Sequence, residues 1–446
     1  MRSRAVAVCM LVLLALAPAA AAADASRVVT LEECTAMALA YDPGLRSDEL
    51  ESGAAAARLR EMQSQYVPSV SVQAGYSRLS EVTPGSLTIP GVPVPVTFPA
   101  PPLNSTAVKL SVQQPLFTGL RISSSIRQAE AARASAGSDA QGTRANVRYA
   151  VQTAFWQLAK AKALEAAARE GQSQLERKLA DVKTLLEQGV ATSNDVLQAD
   201  MRLEDARIDT ARAASARDLA RIQLALLIGL PPAEPIDVPD VGSAPAPEPA
   251  PPPGHGLEDL VSKALAARPE LASTRSRVTA LEAAADVARA GRFPTIVLTG
   301  DYTLANPNAR VFPQQDEFTG TWSVGIMASF DVGRYPQVAA QEEQARDRTS
   351  QARELLKRQA DAVAGEVVRA AVTLNAAIGV HASLAEQSSQ AQANARYVEE
   401  RYRQGVVLES AKLDAESLLA MAQLREQAGL IDCFLARAGL DHAMGD

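Results

Sequence analysis

The chain has 446 residues, 47% of them hydrophobic but only 4% aromatic, and a formal net charge of −7 at pH 7. An acidic chain without a basic cluster excludes a nucleic-acid-binding surface. The Ala-rich, aromatic-poor composition suits long, closely packed helices better than one globular core.

At the N-terminus, Arg2 and Arg4 precede an apolar run, Val6 to Leu16, too short to span a bilayer. Pro18 and an Ala run lead to a small-residue cleavage site after Ala23, with Ala25 the alternative. Residues 1–23 therefore read as a signal peptide and the mature chain as exported. Cys9 lies inside the apolar run, so it is not a lipid-attachment site. No later segment approaches the roughly 18 uninterrupted apolar residues of a membrane helix. A periplasmic protein, a secreted protein or a β-barrel remains. Cys34 and Cys433 can pair in an export compartment or stay as buried helix thiols. His255, His381 and His442 have no metal-ligand spacing. No nucleophile–base pair or phosphate loop is present either, so no catalytic residue, metal or cofactor is expected.

The main signal is internal duplication. Residues 31–47 (LEECTAMALAYDPGLRS) and 257–273 (LEDLVSKALAARPELAS) are identical at eight of 17 positions, at an offset of 226. The same offset carries Pro68 onto Pro294 and Tyr76 onto Tyr302. Later, Gln188-Gly189-Val190 matches Gln404-Gly405-Val406 at an offset of 216. The first repeat spans 24–230 and the second 257–446, joined by a Pro-rich linker at 231–256 that is expected to run extended along the surface.

Each repeat has one layout. A helix of about 36 residues (31–66; 257–292) stops before Pro68 or Pro294. The apolar period then switches to two. Val70, Val72, Ala74 and Tyr76 alternate with Ser71, Gln73, Gly75 and Ser77. After a Pro-rich loop at 80–105, which reads as a lid or as a rigid surface loop, Val108, Leu110 and Val112 alternate with Lys109, Ser111 and Gln113. In the second repeat Ile296, Leu298 and Tyr302 alternate with Thr295, Thr299 and Thr303, with Val297 blurring the pattern. Trp322, Val324, Ile326, Ala328 and Phe330 form the last apolar alternation. Apolar parity is the same in both repeats. Long helices follow (121–188; 337–404), each about 100 Å at 1.5 Å per residue, with coiled-coil-like spacings such as Leu175, Leu179, Val182 and Leu186. Each ends at its QGV turn, and a return helix follows (193–228; 408–440). Ser193 or Asn194 is the expected cap of the first return helix. One opening helix plus one return helix matches one long helix in length, which gives four columns per chain.

Four strands with one apolar and one polar face cannot stand alone in lipid, because open edges leave backbone groups unsatisfied. Closed barrels start at eight strands. Two chains give eight and a filled interior; three give twelve and room for an aqueous lumen. A periplasmic coiled-coil scaffold without a barrel accounts for the helices but not for four strands in matched register.

The layout resembles the TolC-like outer-membrane efflux protein family over essentially the whole mature chain. The marks are Leu31 and Leu39 with Pro43 and Leu45 behind, YVPSVSV at 66–72, QPLFTG at 114–119, and the two QGV turns, in order and duplicated. The resemblance implies a mainly α chain with a small β part. Three copies would complete a twelve-stranded transmembrane barrel above a periplasmic α-barrel. It implies an outer-membrane channel of a tripartite efflux or type I secretion system. Its partners would be a periplasmic adaptor, an inner-membrane pump and outer-membrane lipid. Conduction would be passive.

The resemblance also places a periplasmic gate and adaptor-facing tips at 186–198 and 402–414, around Gly189 and Gly405. A family Tyr–Asp hydrogen bond would fall on Tyr402 and Asp195, whereas Val407 and Ala411 stand where a family example has Arg and Asp. Read from residue type alone, Asp195 is equally a first-turn carboxylate favoured by the helix dipole, and Tyr402 a helix-surface tyrosine. Asp414 falls where the family has a lumen-facing Asp, so that three copies would form a carboxylate ring favouring cations; the alternative is a solvated surface Asp.

Overall fold

In a computed structural model of the chain, the residues described are 27–81, 85–87, 90–91, 93, 96–97, 102–240, 245–251, 256–312 and 314–445. The signal peptide and parts of the 80–105 loop lie outside them. The elements in order are β1 (Arg27–Val28), α1 (Leu31–Tyr41), α2 (Pro43–Ser64), β2 (Ser69–Arg78), β3 (Ser86–Leu87), β4 (Val96–Thr97), β5 (Asn104–Phe117), α3 (Arg121–Glu187), α4 (Ser193–Leu227), β6 (Ile236–Asp237), α5 (Leu257–Ala267), α6 (Pro269–Arg289), β7 (Thr295–Asn306), β8 (Thr319–Ser329), α7 (Tyr335–Arg403) and α8 (Glu409–Met444). They form two compact units. One takes the described residues of Met1–Arg46, Gly142–Arg268 and Ala362–Asp446; the other takes Ser47–Gln141 and Pro269–Asp361. Each unit draws on both sequence repeats.

The single opening helix expected in each repeat is in fact two. α1 gives way to α2 at Asp42 (φ −56, ψ 117), and α5 to α6 at Arg268 (φ −58, ψ 120). The cause is Pro43 and Pro269, which drive the preceding residue out of the helical region and then start the next helix. The capping differs. The Asp42 carboxylate accepts from the Leu45 N–H at 2.6 Å. Arg268 is buried, donates Nε to the Ala443 carbonyl at 2.9 Å and pairs with Glu366 at 2.6 Å.

The sheet lies in the second unit. Its order is β2-β5-β7-β8, antiparallel throughout. Registration is what gives it two unlike faces. Val72 stands opposite Leu110, Leu110 opposite Tyr302, and Tyr302 opposite Trp322. One residue along, Gln73, Lys109, Thr303 and Thr321 form a polar row. Because the side-chain period is two, a slip by one residue would mix the faces. Val297, which blurs the alternation, stands beside Pro115 and opposite Met327, at a local apolar end of the polar face. The apolar face is bare: Val72 is 68%, Trp322 72% and Ile326 70% exposed. Among the described residues β2 and β8 each have one neighbour, so both outer edges are open. Helical segments of this unit are joined by ion pairs, Arg127 to Asp286 at 2.9 Å and Arg277 to Asp139 at 2.7 Å. The buried Glu342 carboxylate sits between Arg292 and Arg346.

The core of the first unit joins α1, α3, α4 and α8 through Cys34, Val151, Phe155, Leu158, Leu224 and Ile431. The linker is part of it, which corrects the expectation of a purely surface strap. β6 pairs in parallel with β1, and Ile236 and Val238 are 1% and 0% exposed. Lys162 fixes the strap by donating to the Val238 carbonyl at 2.9 Å and pairing with Asp237 at 3.0 Å. Two buried apolar residues, with side-chain hydrogen bonds to the linker carbonyls, pin a segment too polar to fold alone. Cys34 and Cys433 are both buried free thiols, and burial pushes Cys34 up to about 11. Within Val332–Arg403 a stretch reaches a mean hydropathy of 1.4, enough by length and composition to cross a bilayer. Val363, Val367, Ala371 and Leu374, spaced by three and four on α7, are buried within the first unit.

Ile236→Ala should cost about 2–4 kcal/mol, as buried Ile deletions do, seen as a lowered chaotrope midpoint. Glu248→Ala, at an exposed position of the same linker, should leave the midpoint unchanged.

Candidate functional site at the helix tips

Both QGV turns are Schellman motifs. In the first, Gly189 N donates to Leu186 O at 2.9 Å and Val190 N to Leu185 O at 2.9 Å. In the second, Gly405 N donates to Tyr402 O at 2.9 Å and Val406 N to Arg401 O at 3.0 Å. The motif needs a left-handed residue after the helix, and Gly189 (φ 77) and Gly405 (φ 73) supply it without a Cβ clash. Apolar side chains are left bare at the tips, Val190, Leu197 and Met201 on one and Val406 and Leu408 on the other.

The two reversals are then held differently. Thr192, not Ser193 or Asn194, caps α4. Its hydroxyl accepts from the Asp195 N–H at 3.3 Å, and the Asp195 carboxylate accepts from the Thr192 N–H at 2.8 Å and hydroxyl at 2.7 Å. A capping box needs a carboxylate three residues after the cap; Thr192 has Asp195, whereas Ser193 and Asn194 have Val196 and Leu197. These hydrogen bonds hold the Asp195 carboxyl below the usual carboxylate range. In this protomer the helix-cap reading of Asp195 is the one realised, and its carboxylate bonds Thr192.

α8 follows Leu408, which supplies no side-chain cap. Its first turn is tied to α7 by charge instead. Lys412 Nζ lies 2.9 Å from Glu399 Oε2 and 3.8 Å from Glu416, and sits 5.2 Å above the Tyr402 ring. Arg403 holds the other Glu399 oxygen at 3.0 Å. Tyr402 is half-buried in this clasp, and its ring faces a cation. Val407 and Ala411 carry no charge, but Lys412 is the next residue after Ala411. Sequence reasoning missed Glu399 and Lys412. Their signal is opposite charges bracketing the second Gly turn; at the offset of 216 the first tip has Lys183 and Val196 instead.

Asp414 points elsewhere. Its Oδ1 is 3.9 Å from Lys178 on α3, and its side chain is 70% exposed. It lines a cleft of about 870 Å³ among α3, α4, α7 and α8, with Leu175, Leu384, Met421 and Arg202. Any carboxylate ring made from Asp414 therefore starts with a lysine beside each member. Among the described residues no group of His, Cys, Asp and Glu is placed to hold a metal ion.

The clasp has a defined pH window. Lys412 holds the Glu399 carboxyl below its usual range, and Glu399 raises the Lys412 ammonium. A lowered carboxylate contributes above its unfolded value and is lost as pH falls through the folded one. A raised lysine contributes below its unfolded value and is lost as pH rises through the folded one. The clasp should thus be fully formed from about pH 5 to 10, given unfolded values of about 4.3 and 10.4. Protection factors of the Ala411 and Lys412 amides, taken relative to intrinsic exchange at each pH, should hold steady across that range and fall on acidification; Glu399→Gln should lower them throughout and abolish the fall.

The outer membrane efflux protein family model matches residues 35–230 and 260–446. The fold is similar to that of the outer-membrane channel OprN, with a TM-score of 0.72 at 22% identity over 95% of this chain and 93% of that one. It is likewise similar to the Campylobacter jejuni CmeC outer membrane channel, with a TM-score of 0.72 at 16% identity over 93% and 85% of the two chains. A third similar structure is the open state of the Neisseria gonorrhoeae MtrE outer membrane channel, with a TM-score of 0.69 at 20% identity over 93% and 88%. No curated protein matches the chain. With both repeats matched by the model and four strands and four tip helices where such a channel needs them, this chain belongs to the outer membrane efflux protein family, as an outer-membrane channel protein.

Proposed function

We propose that three copies of this chain close into one twelve-stranded barrel and act as a passive conduit from a periplasmic adaptor and inner-membrane pump to the exterior. The observation that carries this reading is the four-stranded sheet with a bare apolar face, a polar face and two open edges. In hydrocarbon an open edge is not tolerated, and identical copies satisfy β2 and β8 by pairing them with one another. Three copies rather than two are needed for a wet lumen behind the polar rows. The equivalent repeats, 24–230 and 257–446, each supply two strands and one helix–turn–helix tip. A scaffold without a barrel gives the apolar sheet face no role. In this reading the pump selects the cargo and this chain conducts it.

The tips are the proposed entrance, with Gly189 and Gly405 shaping the turns. Tyr402 and Lys412 hold the second tip, and Thr192 with Asp195 holds the first. The description of the MtrE structure as an open state is consistent with a gate that this chain would also possess. Asp414, beside Lys178, is proposed as a carboxylate whose effect on cations is partly offset by its neighbour.

Mass measurement of the detergent-solubilised protein should give three chains per particle, and a monomer would overturn the reading. In planar bilayers, Lys412→Met should raise single-channel conductance by releasing Tyr402 and Glu399, and Tyr402→Phe should change it less, since the ring rather than the hydroxyl faces Lys412. Unchanged conductance in Lys412→Met combined with Asp195→Ala would remove the tips from gate control. Asp414→Ala should lower cation selectivity, and Lys178→Met should raise it.

A further inference from the structure

We propose that Lys109 and Asp301 form a charge-compensating pair on the water side of the barrel, and that Lys109 sets the barrel's ion selectivity by cancelling Asp301. The inference rests on the barrel reading above. It concerns residues of the second compact unit.

Three observations carry it. First, charge is scarce in the four strands: Arg78, at the end of β2, Lys109 on β5 and Asp301 on β7 are the only Asp, Glu, Lys or Arg residues in them. Second, Lys109 and Asp301 lie on the polar rows. Asp301 stands between Ser111 and Ser323, and Lys109 between Gln73 and Thr303. The opposite face carries Leu110, Tyr302 and Trp322. Alternation therefore puts both charges in the lumen when the apolar face meets lipid. Third, they are joined. Lys109 Nζ is 3.1 Å from Asp301 Oδ1, and the Ser111 hydroxyl donates to the same oxygen at 2.6 Å. Their side chains are 45% and 29% exposed, so both remain open to water and passing ions.

Diagonal neighbours across one strand pair, one of each sign, leave no net fixed charge at that level of the barrel. In a symmetric assembly every copy repeats the pair, so compensation is complete around the ring. Removing one partner leaves a ring of the other sign on a wet wall, where like rings attract counter-ions. Ser111 orients the carboxylate without altering the sum.

The experiment is the reversal potential of the full-length protein in planar bilayers under a KCl gradient. Lys109→Gln should raise the cation-to-anion permeability ratio, and Asp301→Asn should lower it, as expected of a bare charged ring. The double variant should return to the wild-type ratio. Lys109→Cys adds a readout that refolding differences cannot mimic. Reaction with a trimethylammonium methanethiosulfonate restores the positive charge and should restore the wild-type ratio, whereas a sulfonate reagent should push it further toward cations. Cys34 and Cys433 are buried, and the wild-type protein treated with each reagent is the control. Single variants that keep the wild-type ratio, or a Cys variant indifferent to the sign of the reagent, overturn the inference while leaving the channel intact. A wild-type protein that gives no conductance overturns the channel reading and the inference together.

Discussion

The structure depends on one constraint: a backbone N–H or C=O cannot be left unpaired in hydrocarbon. The sheet of β2, β5, β7 and β8 satisfies that constraint between its strands and fails it at both edges. The proposed assembly completes those edges with other copies of the chain. Its apolar row of Val72, Leu110, Tyr302 and Trp322 would be a liability on an isolated water-soluble domain. The same row is what a barrel exterior requires. The helices then have a different task, which is to pack on one another by three-and-four spacing while leaving water on the remaining surface.

Duplication explains how one chain meets the constraint economically. Each repeat supplies two strands of the same parity, so Val70 and Ile296 fall on one face of one sheet. The repeats do not stay alike where symmetry has no use. Pro43 and Pro269 break the opening helices at equivalent places, yet Asp42 caps one break while Arg268 is buried against Ala443 and Glu366 at the other. The tips diverge in the same way. One reversal is held by a local capping box and the other by an ion pair between helices. A local box survives any movement of its neighbour, whereas an interhelical clasp is lost when the helices separate. If the tips open as proposed, the second is the one at which opening carries an electrostatic cost.

The long-range plan was legible in the sequence because it rests on periodicity and on repetition. The strand parity and the two Gly turns came through for that reason, as did the long helices to within a few residues. What was not legible rests on single contacts. Pro43 and Pro269 were in view, but a helix can continue past a proline, and only the backbone at Asp42 and Arg268 shows the break. The linker looked too polar to bury, yet Ile236 and Val238 dock it where β1 lies alongside. Residue type alone points to Ser193 or Asn194 as the cap of α4, but only Thr192 has a carboxylate three residues on. Glu399 and Lys412 are thirteen positions apart in sequence and meet only because the turn between them reverses the chain. Resemblance drew attention to Tyr402 and Asp195; the contacts of those two side chains lie with Lys412 and Thr192.

The central claim is that the two faces of this sheet meet two solvents. Spin labels placed one at a time along 321–326 of β8, with the protein reconstituted in vesicles, test it through accessibility to oxygen and to a water-soluble nickel chelate. Positions 322, 324 and 326 should be accessible to oxygen and protected from the chelate, and positions 321, 323 and 325 should show the reverse. Equal access of the chelate to all six positions would mean that no face of the sheet lies in lipid, and would contradict the account.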